Sequence, residues 1–246
     1  MPRARAKPYE LPPAFARILC ISAHPDDNEF LIGGSVARWA RAGREVVFCL
    51  VTTGAAGTNE HTPSSAGLVA VRERETREAA RILGVRELVF LGYPDGVLEA
   101  TLDLRRDLTR VIRRRRPDVV VCGDPTVRWF GQEYLNHPDH RAAAGAALDA
   151  VFPSAETRAI FPELLEEGLP PHKVRTVLLA ASLEPDTWVD IGETLPTKIA
   201  ALRAHASQVG PGEWVEALLT GWAERAGKRA GVRHAEGYKR FVLNGA

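Results

Sequence analysis

The feature that most constrains this chain is an alternation. Through its first half, short apolar runs of strand length take turns with segments of helical period, an order that builds a mostly parallel sheet. Residues 17–22 (RILCIS) read as a buried strand, residues 32–42 carry a helical pattern ended by Gly43, and residues 45–52 (EVVFCLVT) are a second apolar strand, completing a βαβ unit. A Gly/Thr/Ser loop over 53–65 leads to a helix over 67–83 closed by Gly84, and a strand over 87–91 runs into the turn Tyr93-Pro94-Asp95-Gly96. A helix over 104–116 is stopped by Pro117, and residues 118–122 (DVVVC) form a further apolar strand. The second half is less regular: a helix over 141–151, a Pro-rich stretch over 153–171, a strand over 174–180, and helices near 195–205 and 213–225.

The expected fold is α/β, a Rossmann-like three-layer sandwich whose mostly parallel sheet carries helices on both faces. Residues 1–16 are expected to be a loose leader and residues 17–246 a single domain, since 246 residues of which 45% are hydrophobic suit one large core. In such sheets the ligand site lies beyond the carboxyl ends of the strands.

Charge excludes some partners. With 32 Lys plus Arg against 31 Asp plus Glu, nothing draws the chain to nucleic acid or to an anionic membrane. No apolar run approaches the roughly 20 residues of a membrane span, and the basic start lacks an apolar signal core. Cys20, Cys49 and Cys122 are odd in number and sit inside apolar runs, as buried thiols do, which favours a reducing cytoplasm. The expected partner is a small molecule, and homo-oligomerisation is left open.

Two polar clusters fall at strand ends: His24-Pro25-Asp26-Asp27 after the first strand, and His137-Pro138-Asp139-His140 at the start of the helix over 141–151. Each opens with His and repeats a possible ligand three residues on, a spacing that brings two side chains to one side of a helix start. A catalytic zinc takes three His or carboxylate ligands and an open position for water. His24, Asp27 and one of His137 or His140 would supply that set. Taken singly, each cluster also has a plain reading: Asp26 and Asp27 as helix caps, His137 as a loop histidine, Asp139 as a carboxylate at a helix start. Two such clusters at two strand ends of one sheet are harder to dismiss.

These residues carry a resemblance. Ala23-His24-Pro25-Asp26-Asp27 and His137-Pro138-Asp139-His140, with Gly33-Gly34, residues 72–84 (RERETREAARILG), 91–96 (LGYPDG) and 198–208 (KIAALRAHASQ), resemble the LmbE-like or PIG-L family of zinc-dependent de-N-acetylases over roughly residues 18–243. The resemblance implies a metal-dependent hydrolase that removes an acetyl group from the nitrogen of an amino sugar or related N-acylated small molecule, with a sugar conjugate as the expected substrate. It implies zinc, with iron(II) as the other metal suited to two histidines and one carboxylate.

By the same resemblance His24, Asp27 and His140 bind the metal, and Asp26 is the general base. His137 is implied to protonate the leaving amine or to stabilise the oxyanion, Asp139 to hold the ring of His137 as an outer partner, and Arg72 to contact substrate. On residues alone, Arg72 among Glu73, Arg74, Glu75, Arg77 and Glu78 reads as a solvated helix face, and His205 as a helix-end histidine. Some members place Tyr two residues before the second motif, where this chain has Leu135, with Tyr134 one step back.

A competing class is a non-catalytic nucleotide- or sugar-binding α/β protein, because Thr52-Thr53-Gly54-Ala55-Ala56-Gly57 follows a strand and could cradle phosphate. It lacks the full dinucleotide fingerprint. Specificity is expected in the loops over 53–65 and 123–136.

Overall fold

A computed structural model describes residues 8–59 and 65–243. In chain order its elements are β1 (Arg17–Ser22), α1 (Asp27–Arg41), β2 (Glu45–Thr52), α2 (Ser65–Leu83), β3 (Glu87–Tyr93), α3 (Leu102–Arg115) and β4 (Val119–Gly123). Then come β5 (Trp129–Phe130), β6 (Tyr134–Leu135), α4 (Pro138–Asp149), a π-helical turn (Ala150–Ala155), α5 (Glu163–Glu166) and β7 (Thr176–Ala180). The chain closes with β8 (Thr187–Asp190), α6 (Leu195–Arg203), α7 (Ala206–Val209), α8 (Glu213–Ala230) and β9 (Ala235–Val242).

Seven strands form one sheet in the order β3-β2-β1-β4-β7-β9-β8. The first five are parallel, while β9 runs antiparallel to both β7 and β8. Strand order reverses between β1 and β4, so the crevice beyond their carboxyl ends is the topological switch point where ligands of open α/β sheets bind.

Period-two alternation divides the strand residues between two cores. Ile18 and Cys20 pack with α1, α2, α6 and α8 on one face, whereas Leu19 and Ile21 pack with α3 and α4 on the other. The expected three-layer, mostly parallel arrangement is thus the one found. Cys20, Cys49 and Cys122 are all free and buried, and burial pushes the Cys49 and Cys122 thiols up to about 12.

Several elements differ from expectation, each for a physical reason. Helix α1 starts at Asp27 rather than residue 32, because its first turn buries polar residues, Asp27, Asn28 and Glu29, that hydrophobic periodicity does not register. Helix α4 starts at Pro138, whose fixed φ suits the first helical position, and His137 is its N-cap. Strands β8 and β9 escape the pattern because β9 buries a charge: Glu236 accepts from Lys198 Nζ at 2.5 Å and from the backbone N–H groups of Gly34 and Ser35 at 3.0 and 2.7 Å. That carboxylate ties the antiparallel edge to α1 and α6.

The part of the expected loose leader that lies in the described residues is held to the core. Leu11 and Phe15 are buried, the Tyr9 N–H donates to Trp188 O at 2.6 Å, and the Ala16 N–H donates to Asp118 Oδ2 at 2.8 Å. Residues 1–7 lie outside the described residues. Arg113, in the basic run 113–116 at the end of α3, is buried and organises the Pro-rich stretch. Its guanidinium donates to the carbonyls of Ser154, Ala155, Thr157 and Ile160 at 2.8 to 3.2 Å.

Candidate active site

The chain leaves β1 at Ser22 and turns sharply through His24-Pro25-Asp26-Asp27 into α1. Asp26 sits at φ 95°, a left-handed conformation rare for a residue with a side chain and frequent at functional sites. The turn is closed from within, since the His24 N–H donates to Asp27 Oδ2 at 2.8 Å. It is also held from outside: Arg72 Nη2 donates to Pro25 O at 2.6 Å and to Asp26 Oδ2 at 3.2 Å.

The second cluster meets the first. His24 Nδ1 lies 3.2 Å from His140 Nε2, and His140 Nε2 lies 3.1 Å from Asp27 Oδ1. Asp27 Oδ2 is 3.6 Å from His24 Nδ1. Metal–nitrogen bonds of about 2.0–2.1 Å in a tetrahedral site separate ligand atoms by about 3.3 Å, so these three side chains are spaced to hold one ion. Each imidazole is oriented through its other nitrogen, as ligating histidines usually are. His24 Nε2 lies 3.0 Å from Asp95 Oδ1 and 3.3 Å from Asp139 Oδ2, and His140 Nδ1 lies 3.0 Å from Asn136 Oδ1.

The electrostatics fit a site built for a cation. Burial works against charge on His24, yet hydrogen bonds to Asp27 and Asp95 push its imidazolium up to about 11. His140 is raised in spite of burial by Asp27. Asp27, opposed by burial, is held well below the ordinary carboxylate range by His140 and His24. Asp26 behaves oppositely: burial and the adjacent Asp27 push it up to about 7, against the restraining charges of Arg72 and His205.

His137 stands at the mouth, its side chain 40% exposed, with its ring edge-on to that of His24. Its Nδ1 accepts the Asp139 N–H at 3.2 Å, and burial together with the His24 charge lowers its pKa below the ordinary 6.5. Asp139, expected to hold the ring of His137, has its nearer oxygen 3.8 Å from that ring. The carboxylate is fully buried, approaches His24 instead, and accepts the N–H groups of Gly96 and Leu98 at 2.7 and 3.1 Å. His24, His137 and Asp139 form a second group with metal-ligand spacing, so His24 takes part in both.

Arg72 is 3% exposed and not on a solvated face. Besides its contacts to Pro25 and Asp26, its Nη1 donates to Gly54 O at 2.9 Å. This accounts for the glycines that resemble a phosphate loop: a Cβ on Gly54 would come within 2.6 Å of the guanidinium, and one on Gly57 within 2.8 Å. The loop wraps an arginine. His205 is fully buried, its Nε2 3.5 Å from Glu29 Oε2.

Reading the sequence missed Asp95 and Asn136, the outer partners of the two histidines. The Asp95-Gly96 turn after a strand was a signal for the first, and the Asn directly before the second motif for the second.

The chain is similar to known proteins over most of its length. Residues 19–151 match the family model PIG-L, GlcNAc-PI de-N-acetylase. The diacetylchitobiose deacetylase of Thermococcus kodakarensis is 35% identical over 228 residues, covering 92% of this chain and 83% of that protein. A probable N-acetyl-α-D-glucosaminyl L-malate deacetylase of Bacillus anthracis is 27% identical, covering 78% and 80%. Among solved structures, the N,N′-diacetylchitobiose deacetylase of Pyrococcus horikoshii with its inhibitor superposes with a TM-score of 0.86 at 33% identity, covering 93% of this chain and 85% of that one. A family match spanning both motifs and relatives this similar over nearly the whole chain lead to one conclusion: the chain belongs to the PIG-L family of GlcNAc-PI de-N-acetylases.

Proposed function

We propose that this protein is a metal-dependent deacetylase that hydrolyses the acetamide of an N-acetylglucosamine-bearing saccharide, with zinc as its metal. The observation that carries the reading is the convergence of His24 Nδ1, His140 Nε2 and Asp27 beside a carboxylate, Asp26, that stands outside the ligand set. Of the two His-containing groups, the one with Asp27 and His140 is favoured, because the oxygens of Asp139 already accept two backbone N–H groups. When bound, the metal supplies a water of lowered pKa and polarises the acetamide carbonyl.

Asp26 takes a proton from the attacking water as the new C–O bond forms. A carboxylate that binds no metal can act as base in this way, and the same carboxyl can then return the proton to the nitrogen as the C–N bond breaks, giving acetate and a free amine. Arg72 fixes the direction of this carboxylate and is a positioning residue.

His137 serves as a hydrogen-bond donor. Because Nδ1 accepts the Asp139 N–H, the neutral ring carries its proton on Nε2, aimed for donation to the carbonyl oxygen as that oxygen gains charge. The lowered pKa favours this role over donation of a full proton. Among the described residues no helix is long and apolar enough to cross a membrane.

The reading is tested by following acetate release from N-acetylglucosamine and N,N′-diacetylchitobiose by protein loaded with zinc, with chelator-stripped protein as control. Zinc-dependent release supports it, and inert zinc-loaded protein overturns it.

A further inference from the structure

We propose that the hairpin formed by β5 and β6 determines substrate specificity: Phe130 and Tyr134 form an aromatic wall against which a saccharide stacks beyond its acetamido-bearing ring, so that the preferred substrate has at least two pyranose rings. This rests on the deacetylase reading above and assigns the part of the substrate that the chemistry itself does not touch.

The hairpin is tied to the site by chain and by hydrogen bonds. Strand β6 ends at Leu135, one residue before Asn136 and two before His137. The Asn136 N–H donates to Arg128 O at 2.9 Å, which extends the ladder, and the Asn136 side chain reaches Val127 O at 2.8 Å and His140 Nδ1 at 3.0 Å. The hairpin therefore stands directly beside His137 and His140, at the rim of the site.

Register decides which side chains face that group. Phe130 pairs with Tyr134 and Trp129 with Leu135. Side chains on paired strands alternate between faces, so Phe130 and Tyr134 share the face of Asn136, the one that meets His140, while Trp129 and Leu135 take the opposite face. The two rings on the site-facing side pack with centroids 6.0 Å apart, and Tyr134 remains 52% exposed. Asp27 lies close enough for its charge, after burial, to raise the Tyr134 phenol.

Exposed aromatic faces at the rim of a site mark a binding surface. A pyranose suits this one, because one of its faces carries only C–H groups while its edge carries hydroxyls. The aromatic pair meets that face, and the exposed hairpin tip Gly131-Gln132-Glu133 offers a donor and acceptors to the hydroxyls. On this proposal the acetamido-bearing ring lies at the metal and the next ring meets the aromatic pair.

The test compares kcat/KM for N,N′-diacetylchitobiose and N-acetylglucosamine in zinc-loaded wild type, Phe130→Ala, Tyr134→Ala and Tyr134→Phe, with oligomeric state followed by sedimentation. Loss of one aromatic stack should lower the disaccharide-to-monosaccharide ratio about tenfold, mainly through KM, whereas Tyr134→Phe should keep it. An unchanged ratio in both alanine variants overturns the proposal while leaving the deacetylase reading intact. So does a ratio change that comes with altered sedimentation, which would make the hairpin an interface between copies. Wild-type protein inert on both sugars overturns the deacetylase reading itself, and the proposal with it.

Discussion

Arg72 and Asp26 are 46 positions apart in sequence, yet the guanidinium lies 3.2 Å from Asp26 Oδ2 and also grips the carbonyl just before it. The contact holds a left-handed aspartate in place and restrains a carboxyl that burial drives upward.

Replacing Arg72 should therefore act through Asp26. Removing the positive charge raises the carboxyl further, so the acid limb of kcat/KM moves to higher pH in Arg72→Met, and turnover falls about 10²-fold from lost positioning. Metal content stays at one equivalent per chain. A pH–rate profile with atomic absorption on the same samples checks both points.

His137 is read as a neutral donor, which distinguishes it from a proton-donating acid. His137→Ala should lower kcat by about 10²–10³-fold with metal retained, the effect of losing one oxyanion donor. The alkaline limb of the pH profile should remain where it is in the wild type. Its disappearance would assign the proton donor to His137 instead.

The metal-free site stores protons where the cation belongs. His24, raised from 6.5 to about 11, stabilises the metal-free fold fully below 6.5 and loses that contribution as pH rises toward 11. Asp26, raised from 3.8 to about 7, adds in the same direction: ionising it between those values disfavours the fold. The Tm of stripped protein should thus fall between pH 6.5 and 9. The gain in Tm on adding zinc should be larger at pH 9, where protons compete less for the ligands. Calorimetry at both values, with and without zinc, measures this.

Lys198 and Glu236 form a buried pair that anchors the antiparallel edge to two helices. Lys198→Met strands the carboxylate and should cost about 3–5 kcal/mol in urea unfolding. A loss below about 1 kcal/mol would mean that the backbone N–H groups of Gly34 and Ser35 suffice to hold Glu236.

What could be read from the sequence follows how far each signal travels along the chain. The five parallel strands are legible because each is a continuous apolar run, and both metal motifs are legible because their ligands repeat within four residues. Strand β9 is not, since the partners of its buried Glu236 come from residues 34, 35 and 198. Arg72 hides in a run of alternating charges that reads as solvated, and only packing of α2 against the His24–Asp27 turn gives it a task. Asp95, Asn136 and the approach of Asp139 to His24 are tertiary relationships with no local period. The hairpin at 129–135 is short, and its aromatic residues follow no pattern longer than two positions on each strand.

The account stands most directly on Asp26 as a base outside the ligand set. In Asp26→Asn, one equivalent of zinc per chain and an unchanged circular dichroism spectrum should accompany a loss of acetate release of about 10²–10⁴-fold. Asp26→Asn that turns over at near wild-type rates, or that loses its zinc while Asp27→Asn keeps it, would contradict the account.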